Sequence, residues 1–383
     1  MNLNGNLSLR TLKASPNICN WCIGLAIAIA GFTLSLAWHD SPSVFADQPQ
    51  GAAAKPVANA EAKAGSVAES TEIVQLPNPG ATFAAKDTLV CDVDASADAQ
   101  QCLAGLRWDP TDFSVEIAAA EKDSYDRLVF FPSPLPAGHP VHDRVSMEWY
   151  AAKDADGKPV TAPAVVVVHE SGRSMPVGRI IAKGLRDHGL HAIMIHLPGY
   201  GNRRSELAER PETILTSLRQ GIADVRRARD VVAQLPFVDA TRIGVQGTSL
   251  GGFVTSTVIG LDNGFDRGFI LLAGGQLDQV VLKGKKDAAK IREKLASLGM
   301  TDEQIVDLAR PIEPLRLAHR IRPESTWLYN GMFDDVVPRE SSYALAKAAK
   351  LAPENHIELP ANHYTGIIFL PVVLQKIHDE MVK

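Results

Sequence analysis

Cysteine is scarce in this sequence, and its basic residues do not collect into a long run. The 383 residues include four cysteines, and 39 Lys and Arg residues stand against 44 Asp and Glu residues, for a formal net charge of −5. The densest basic patch, 283–286, is short. Proteins that bind nucleic acid through its phosphates present a basic surface, so this composition argues against a nucleic-acid partner.

Motifs for metal ions and dinucleotides are also missing. The sequence has no His-Glu-x-x-His pair and no Gly-x-Gly-x-x-Gly, and it has no Cys/His cluster with metal-ligand spacing outside its N-terminal segment. Cys19 and Cys22 form a Cys-x-x-Cys, but they lie in a segment that we predict to be a presequence. We therefore expect chemistry carried by side chains, with neither a metal nor an organic cofactor.

Residues 1–46 have the layout of an export signal. Arg10 and Lys13 precede an apolar stretch over 22–38, and small residues then allow cleavage after Ala46. The 17 residues of the apolar stretch also approach the length of an uncleaved membrane anchor. We therefore expect an exported protein, periplasmic or secreted, that contacts a membrane only if this segment is retained.

Residues 47–85 are rich in Ala, Pro, Lys and Glu with little periodicity, which predicts a flexible linker before a folded domain over 86–383. Cys91 and Cys102 are the two cysteines of the predicted mature chain. In an exported protein such a pair favours a disulfide that closes a small loop, and two unpaired thiols are the alternative.

Strand and helix patterns alternate over much of the folded domain. The run Ala164–Val168 is apolar and largely β-branched, which is typical of a parallel strand covered on both faces. Antiparallel strands followed by strand–helix alternation predict an α/β fold with a mostly parallel central sheet flanked by helices. The expected strands cover 113–118, 127–131, 144–151, 164–168, 191–195, 242–245, 269–272, 326–329 and 356–359, and the expected helices cover 180–187, 211–234, 250–259 and 367–381.

An excursion over 276–324 separates two of these strands and is too structured to be a loop. It contains two helix patterns, and Thr301 begins the second with a capping box that ends at Gln304. The excursion leaves the sheet at the carboxyl end of a strand, the edge where ligands bind in open α/β sheets. A partial helical cap over the site and extra packing over the sheet are both consistent with this position.

The most informative motif is Gly247-Thr248-Ser249-Leu250-Gly251, which joins a strand pattern to a helix pattern. This context is that of a nucleophile elbow, in which a tight turn presents a serine hydroxyl at the carboxyl edge of the sheet. Ser249 is therefore the candidate nucleophile. A serine hydroxyl reacts poorly at neutral pH unless a base and an orienting carboxylate accompany it.

His363 is the predicted base. In the required chain order the base follows both the nucleophile and the acid, in a loop after a strand. His319 precedes any credible acid strand, His356 begins a strand and His378 lies within the terminal helix pattern. His363 follows the last expected strand by a few residues, which places it at the correct edge of the sheet.

The acid is expected after the strand that ends at Tyr329, where Asp334 and Asp335 are adjacent. The oxyanion hole should combine the backbone N–H of Leu250 with one from the loop after strand 164–168. In that loop a small residue next to glycine suits close approach to a substrate, which favours Ser171 N–H as the second donor. The two preceding residues are expected to support the elbow through hydrogen bonds, namely His169 and Glu170.

Four separated motifs, HESG, GTSLGG, GMFDDVVP and ANH, occur in this order over 145–383, and together they resemble the α/β-hydrolase superfamily. Within it the chain most resembles the dienelactone hydrolase and acetyl-xylan-esterase-like branch. The acid motif of that branch, GxxDxxVP, implies Asp334 as the acid when Gly331 and Pro338 are aligned. The resemblance also implies that Glu170 contacts the nucleophile and that Ser171 donates to the oxyanion.

The nucleophile departs from the resemblance, because dienelactone hydrolases carry cysteine where this chain has Ser249. Serine favours a general carboxylic ester hydrolase acting on a small-molecule or carbohydrate ester, and the sequence carries no signal for an oligomeric state. One alternative is a serine peptidase of the prolyl oligopeptidase type, although the region between Gln48 and Phe113 is too short for the propeller of those enzymes. Another is a non-catalytic binding protein that kept the fold.

Overall fold

The structure is a computed structural model, which describes residues 75–90, 92–205 and 210–383. The export signal predicted over 1–46 lies outside the described residues, as does Cys91. In the described part of the chain, no helix combines the length and the apolar character needed to cross a membrane.

The described residues form one sheet of ten strands in the spatial order β1-β2-β3-β4-β6-β5-β7-β8-β9-β10. Neighbouring strands from β1 to β4 pair antiparallel, and β4 pairs antiparallel with β6. Strand β5 pairs in parallel with both β6 and β7, and the neighbouring strands from β7 to β10 also pair in parallel. The predicted α/β fold with a mostly parallel centre is confirmed. The strands are β1 Thr82–Ala85, β2 Phe113–Ala119, β3 Arg127–Pro132, β4 Arg144–Tyr150, β5 Ala162–Val168, β6 His191–Ile195, β7 Val238–Thr248, β8 Arg267–Leu271, β9 Thr326–Gly331 and β10 His356–Leu359.

Helices cover both faces of the sheet. Helices α4 and α5 contribute to one buried apolar cluster, and α3 and α10 contribute to a second. Strand β5, at the centre, is buried along all seven residues, as its unalternating apolar run predicts. The helices are α1 Ala97–Ala104, α2 Pro140–Asp143, α3 Pro176–Asp187, α4 Pro211–Val232, α5 Leu250–Leu261, α6 Leu277–Lys283, α7 Asp287–Ser297, α8 Asp302–Ala309, α9 Arg339–Ala348 and α10 Leu370–Met381.

The predicted linker ends too late. Thr82–Ala85 forms β1 and pairs with β2, with Thr82 opposite Glu116 and Ala85 opposite Phe113. A four-residue edge strand is too short to show a clear alternation of polar and apolar residues, so its pairing partner determines it. The folded part therefore begins before residue 86.

The excursion over 276–324 contains three α-helices, α6, α7 and α8, rather than the two predicted. The capping box at the start of α8 is present, with the Thr301 side chain and the Gln304 side chain each bonded to the other residue's backbone N–H. Val280 and Ala288 from this insertion form a small buried cluster with Val336 and Val337. The insertion thus packs against the loop that follows β9.

Cys102 is a free and buried thiol, and Cys91, the partner in the predicted disulfide, lies outside the described residues. Helix α1 points this side chain into the core, where its Sγ lies 3.5 Å from the Pro311 carbonyl oxygen. Burial raises the pKa of the Cys102 thiol to about 11, so the protonated thiol is the stable form here.

Candidate active site

Ser249 occupies a strained turn between β7 and α5. Its backbone has φ 54° and ψ −115°, a region that a residue with a β-carbon rarely adopts. Such a conformation costs on the order of 1–3 kcal/mol and persists where the surrounding structure enforces it. The Ser249 N–H donates to the Leu271 carbonyl at 2.9 Å, which ties the turn to the neighbouring strand β8.

Two glycines make this turn possible through close backbone contacts. A β-carbon on Gly247 would lie 2.1 Å from the Gly251 carbonyl oxygen, and one on Gly251 would lie 2.1 Å from the Val168 carbonyl oxygen. Both distances are far inside van der Waals contact. The glycines on either side of Ser249 are therefore required by packing, which is the physical content of the GxSxG pattern.

Ser249, His363 and Asp334 form a continuous hydrogen-bonded chain. The Ser249 Oγ lies 3.0 Å from His363 Nε2, and His363 Nδ1 lies 2.7 Å from Asp334 Oδ2. The Asp334 Oδ1 accepts the N–H groups of Val336 and Val337, each at 2.9 Å. Because an acidic oxygen faces Nδ1, the hydrogen-bond pattern assigns the proton to Nδ1 and leaves Nε2 to accept the serine proton.

The adjacent Asp335 has a different environment. Its carboxylate pairs with Lys286 Nζ at 3.1 Å, and its carbonyl accepts the Lys285 N–H at 2.7 Å. Asp335 therefore connects the acid loop to the helical insertion, while its neighbour Asp334 faces the histidine. The structure brings together the three residues that the sequence analysis singled out as nucleophile, acid and base.

Residues 170–174 form a loop in which every carbonyl has a donor. Three of the donors are side chains that follow the loop in the chain: Tyr200 Oη donates to Ser171 O at 3.2 Å, Arg204 to Arg173 O at 3.1 Å and Arg179 to Ser174 O at 2.6 Å. In addition, His169 Nδ1 bonds the Glu170 carbonyl at 2.6 Å, and Met175 N–H bonds the Gly172 carbonyl at 2.9 Å. The loop is thus fixed without use of its N–H groups at the site.

Of the two predicted oxyanion donors, Ser171 lines the same cavity as Ser249, and Leu250 follows Ser249 directly in the chain. Leu250 is the first residue of α5, so its N–H has no acceptor within the helix, and Ser171 lines the cavity beside Ser249. Among the described residues, no group accepts a hydrogen bond from Ser171 N–H. Both donors are therefore available to an external oxygen.

His169 is a fully buried, neutral histidine that supports the loop. Its Nδ1 donates to the Glu170 carbonyl, and its Nε2 accepts the Leu197 N–H at 3.2 Å. Burial is the main cause that lowers the pKa of His169 to about 3, which keeps the ring uncharged at neutral pH. It contacts the backbone of the loop and makes no hydrogen bond with Ser249.

Glu170 caps helix α3. Its two carboxylate oxygens accept the N–H groups of Val177 and Gly178, each at 3.0 Å, so the carboxylate satisfies two of the unpaired donors at a helix start. Among the described residues the Glu170 carboxylate makes no hydrogen bond with Ser249, so the contact with the nucleophile that the resemblance implied stays a prediction. Glu170 lines the cavity and acts on the loop through α3.

A cavity of about 430 Å³ opens beside Ser249 and His363. Tyr364 and Asp287 are among the lining residues that the sequence analysis did not single out, and the Tyr364 hydroxyl donates to Asp287 Oδ2 at 2.9 Å. Asp287 begins α7, so the helical insertion forms part of the wall. The pairing depends on the docking of the insertion, which no local sequence pattern reveals. The described residues contain no cluster of three or more potential metal ligands.

The prolyl oligopeptidase family model matches residues 181–366 of the chain. Among solved structures, acetyl xylan esterase 1 from Thermoanaerobacterium sp. JW/SL YS485 is 15% identical with a TM-score of 0.54, covering 77% of this chain and 96% of that one. An acetyl xylan esterase from Paenibacillus sp. R4 is 17% identical with a TM-score of 0.52, covering 74% and 92%.

A puromycin-hydrolyzing peptidase from Mycobacterium tuberculosis is 17% identical with a TM-score of 0.50, covering 71% of this chain and 44% of that one. None of the curated proteins searched matches the chain. At these identities the likeness to solved structures shows a common fold. The chain therefore has the α/β-hydrolase fold, and its family match and structural neighbours support a serine hydrolase of that fold.

Proposed function

We propose that this protein is an exported serine hydrolase that cleaves carboxylic esters through an acyl-enzyme intermediate. One observation carries the proposal: the chain of hydrogen bonds from Ser249 through His363 to Asp334, at 3.0 and 2.7 Å, beside a cavity. These distances lie within the range required for proton transfer between a nucleophile, its base and an orienting acid.

In the first step His363 Nε2 takes the proton of Ser249 as Oγ attacks the ester carbonyl carbon. The negative charge that develops on the carbonyl oxygen is stabilised by the N–H groups of Leu250 and Ser171. Collapse of this intermediate breaks the bond to the alcohol oxygen, which leaves with the proton from His363. The carboxylate of Asp334 stabilises the imidazolium form of the histidine throughout.

In the second step water replaces the alcohol. His363 takes a proton from the water as its oxygen attacks the acyl carbon, and the same two N–H groups hold the oxyanion. The proton then passes to Ser249 Oγ as the acyl–serine bond breaks and the acid is released. Every proton is moved by the histidine, so the cycle needs no further acid or base.

A small-molecule or carbohydrate ester is the proposed substrate, and export rests on the layout of 1–46. The acetyl xylan esterase neighbours favour the ester class. A second candidate, a serine peptidase, is favoured by the family match over 181–366. Both reactions use the same triad, so the cavity decides between them.

The polar lining of the cavity favours an ester over a peptide. A peptide presents several backbone N–H and C=O groups that need partners when buried. The two carboxylates in the lining are already engaged: Glu170 with the start of α3, and Asp287 with Tyr364. A simple ester presents one carbonyl, for which the two N–H donors at Leu250 and Ser171 suffice.

The test compares Ser249→Ala with wild type on p-nitrophenyl acetate and butanoate, and on aminoacyl- and prolyl-p-nitroanilides. We expect ester hydrolysis by wild type and a loss of at least about a thousandfold in the variant, the scale on which triad residues act. Ser297→Ala is the matched control, because Ser297 is exposed at the end of α7 and its hydroxyl donates to the Lys294 carbonyl at 2.6 Å. Equal rates for wild type and Ser249→Ala refute catalysis, and anilide hydrolysis without ester hydrolysis favours the peptidase.

A further inference from the structure

The walls of the catalytic cavity are predominantly apolar. Ile181 comes from α3, Leu271 and Leu272 from the end of β8 and the residue after it, and Leu370 and Val373 from α10; all five are buried and line the same space as Ser249. A pocket of about 430 Å³ lies in the range of small-molecule binding sites. An acetyl group places a single methyl against these walls and leaves most of the apolar surface unused.

The polar side chains in the wall offer little to a charged or sugar-like group. Thr248 Oγ1 accepts a hydrogen bond from Gln246 at 2.8 Å, and the Glu170 carboxylate is occupied by two backbone N–H groups at 3.0 Å. Among the described residues that line the cavity, none is Lys or Arg. Apart from the hydroxyls of the exposed residues Ser171 and Ser174, the free polar side-chain and N–H groups at the cavity are those assigned to the reaction itself.

The cavity is closed where α3 and α10 meet. Ile181 and Val373 line it, and one turn further along α3 the two helices touch so closely that a β-carbon on Gly184 would lie 2.4 Å from Leu374 Cδ1. This contact places a floor beneath the space between the helices. This contact limits how far a chain can extend between α3 and α10.

We propose that the ester cleaved by this protein carries an apolar group of at least about four carbons, which fills the pocket between α3 and α10. The proposal rests on the proposed ester hydrolase function and names its substrate class. Transfer of apolar groups from water to such a surface contributes about fourfold in kcat/KM for each methylene that is bound. The pocket holds either the acyl chain or an alkyl chain of the alcohol, and both present the same chemistry to its walls.

Two ester series distinguish these sources. In the first series the leaving group is p-nitrophenol and the acyl chain lengthens from acetate to octanoate. In the second series the acyl group is acetate and the alcohol lengthens from methanol to hexanol, and the rate is measured as the release of acid. We expect kcat/KM to rise on the order of fifteenfold over the first two added methylenes in one series, and the rising series identifies the half that binds. A maximum at acetate in the first series together with a flat second series overturns the proposal.

Val177→Phe tests the place where the chain binds. Val177 is half-buried, lines the cavity in the first turn of α3, and its N–H bond to Glu170 is unaffected by the side chain. We expect the ratio of rates on the longest and shortest good substrates to fall at least about fivefold, corresponding to one or two methylenes expelled. The control is Val372→Phe, the same change at a residue of α10 that is 71% exposed.

The outcomes separate the two hypotheses. If Ser249→Ala and wild type hydrolyse all esters equally, the proposed function fails. If hydrolysis depends on Ser249 but shows no chain-length preference, the function stands and the apolar pocket proposal fails. If a preference exists but Val177→Phe and Val372→Phe leave the ratio equally unchanged, the chain binds elsewhere and the proposal fails as well.

Discussion

Replacement of Asp334 by Asn should remove most of the activity while the same change at Asp335 should not. The two residues are adjacent, and the substitution is the same in size and chemistry. The side chain of Asp334 is buried and accepts His363 Nδ1–H at 2.7 Å, whereas Asp335 pairs with Lys286 at 3.1 Å in a half-exposed ion pair. The comparison therefore isolates the environment of the carboxylate from the effect of the substitution.

The expected magnitude at Asp334 follows from the three hydrogen bonds that its carboxylate accepts. The N–H groups of Val336 and Val337 donate to Oδ1 at 2.9 Å, so in Asp334→Asn the amide oxygen must occupy the Oδ1 position to accept them. The amide NH₂ is then directed at the histidine. Nδ1 must then accept rather than donate, and the proton moves to Nε2, which can no longer take the Ser249 proton. This change of tautomer costs on the order of 10⁴ in kcat in a triad.

The expected loss at Asp335 is at most about fivefold, because an exposed ion pair contributes between about 0 and 1 kcal/mol. The assay is kcat and kcat/KM on a p-nitrophenyl ester for wild type and both variants, with thermal unfolding to verify that each is folded. A folded Asp334→Asn with activity within tenfold of wild type, or a larger loss at Asp335, refutes the assignment of the acid.

Two further predictions concern the loop over 170–174. Tyr200→Phe removes the hydrogen bond to the Ser171 carbonyl, so kcat should fall about fivefold to tenfold, the equivalent of one neutral hydrogen bond, with little change in KM; an unchanged kcat contradicts a positioning role for Tyr200. Because burial depresses the pKa of His169 to about 3, the folded state resists its protonation. The free energy of unfolding should therefore be unaffected by this group above about pH 6.5 and should fall below it by at most about 1.4 kcal/mol per pH unit. Urea unfolding from pH 7 to 4 should show a shallower decline in His169→Gln, and identical slopes would contradict the buried-histidine account.

Local patterns were sufficient for the elements that are long or fully buried. The apolar run of β5 predicts a central strand because both faces of a central strand are buried and neither needs polar residues. The GxSxG pattern predicts the elbow because a β-carbon on either glycine would lie 2.1 Å from a backbone oxygen. Local patterns do not predict the elements that are short or that pair with residues distant in the chain. The linker predicted from the sequence includes β1, and no local pattern predicts α1 or α9.

The candidate site shows the same division. Chain order and strand ends were enough to select Ser249 and His363, because parallel strands bring the loops at their carboxyl ends to one edge of the sheet. The choice between Asp334 and Asp335 needed the resemblance, since both follow the same strand. Their separate partners, His363 for the first and Lys286 for the second, are visible only in three dimensions.

The sequence by itself determined the fold class, the elbow and the order of nucleophile, acid and base, because each depends on local residue patterns and on chain order. Tertiary structure alone decided what surrounds them. Tyr200 reaches the loop at Ser171 from the loop after β6, Glu170 caps α3, Cys102 lies in the core as a free thiol, and α3 and α10 enclose an apolar pocket. These features depend on the packing of segments that are far apart in the chain, which no local pattern records.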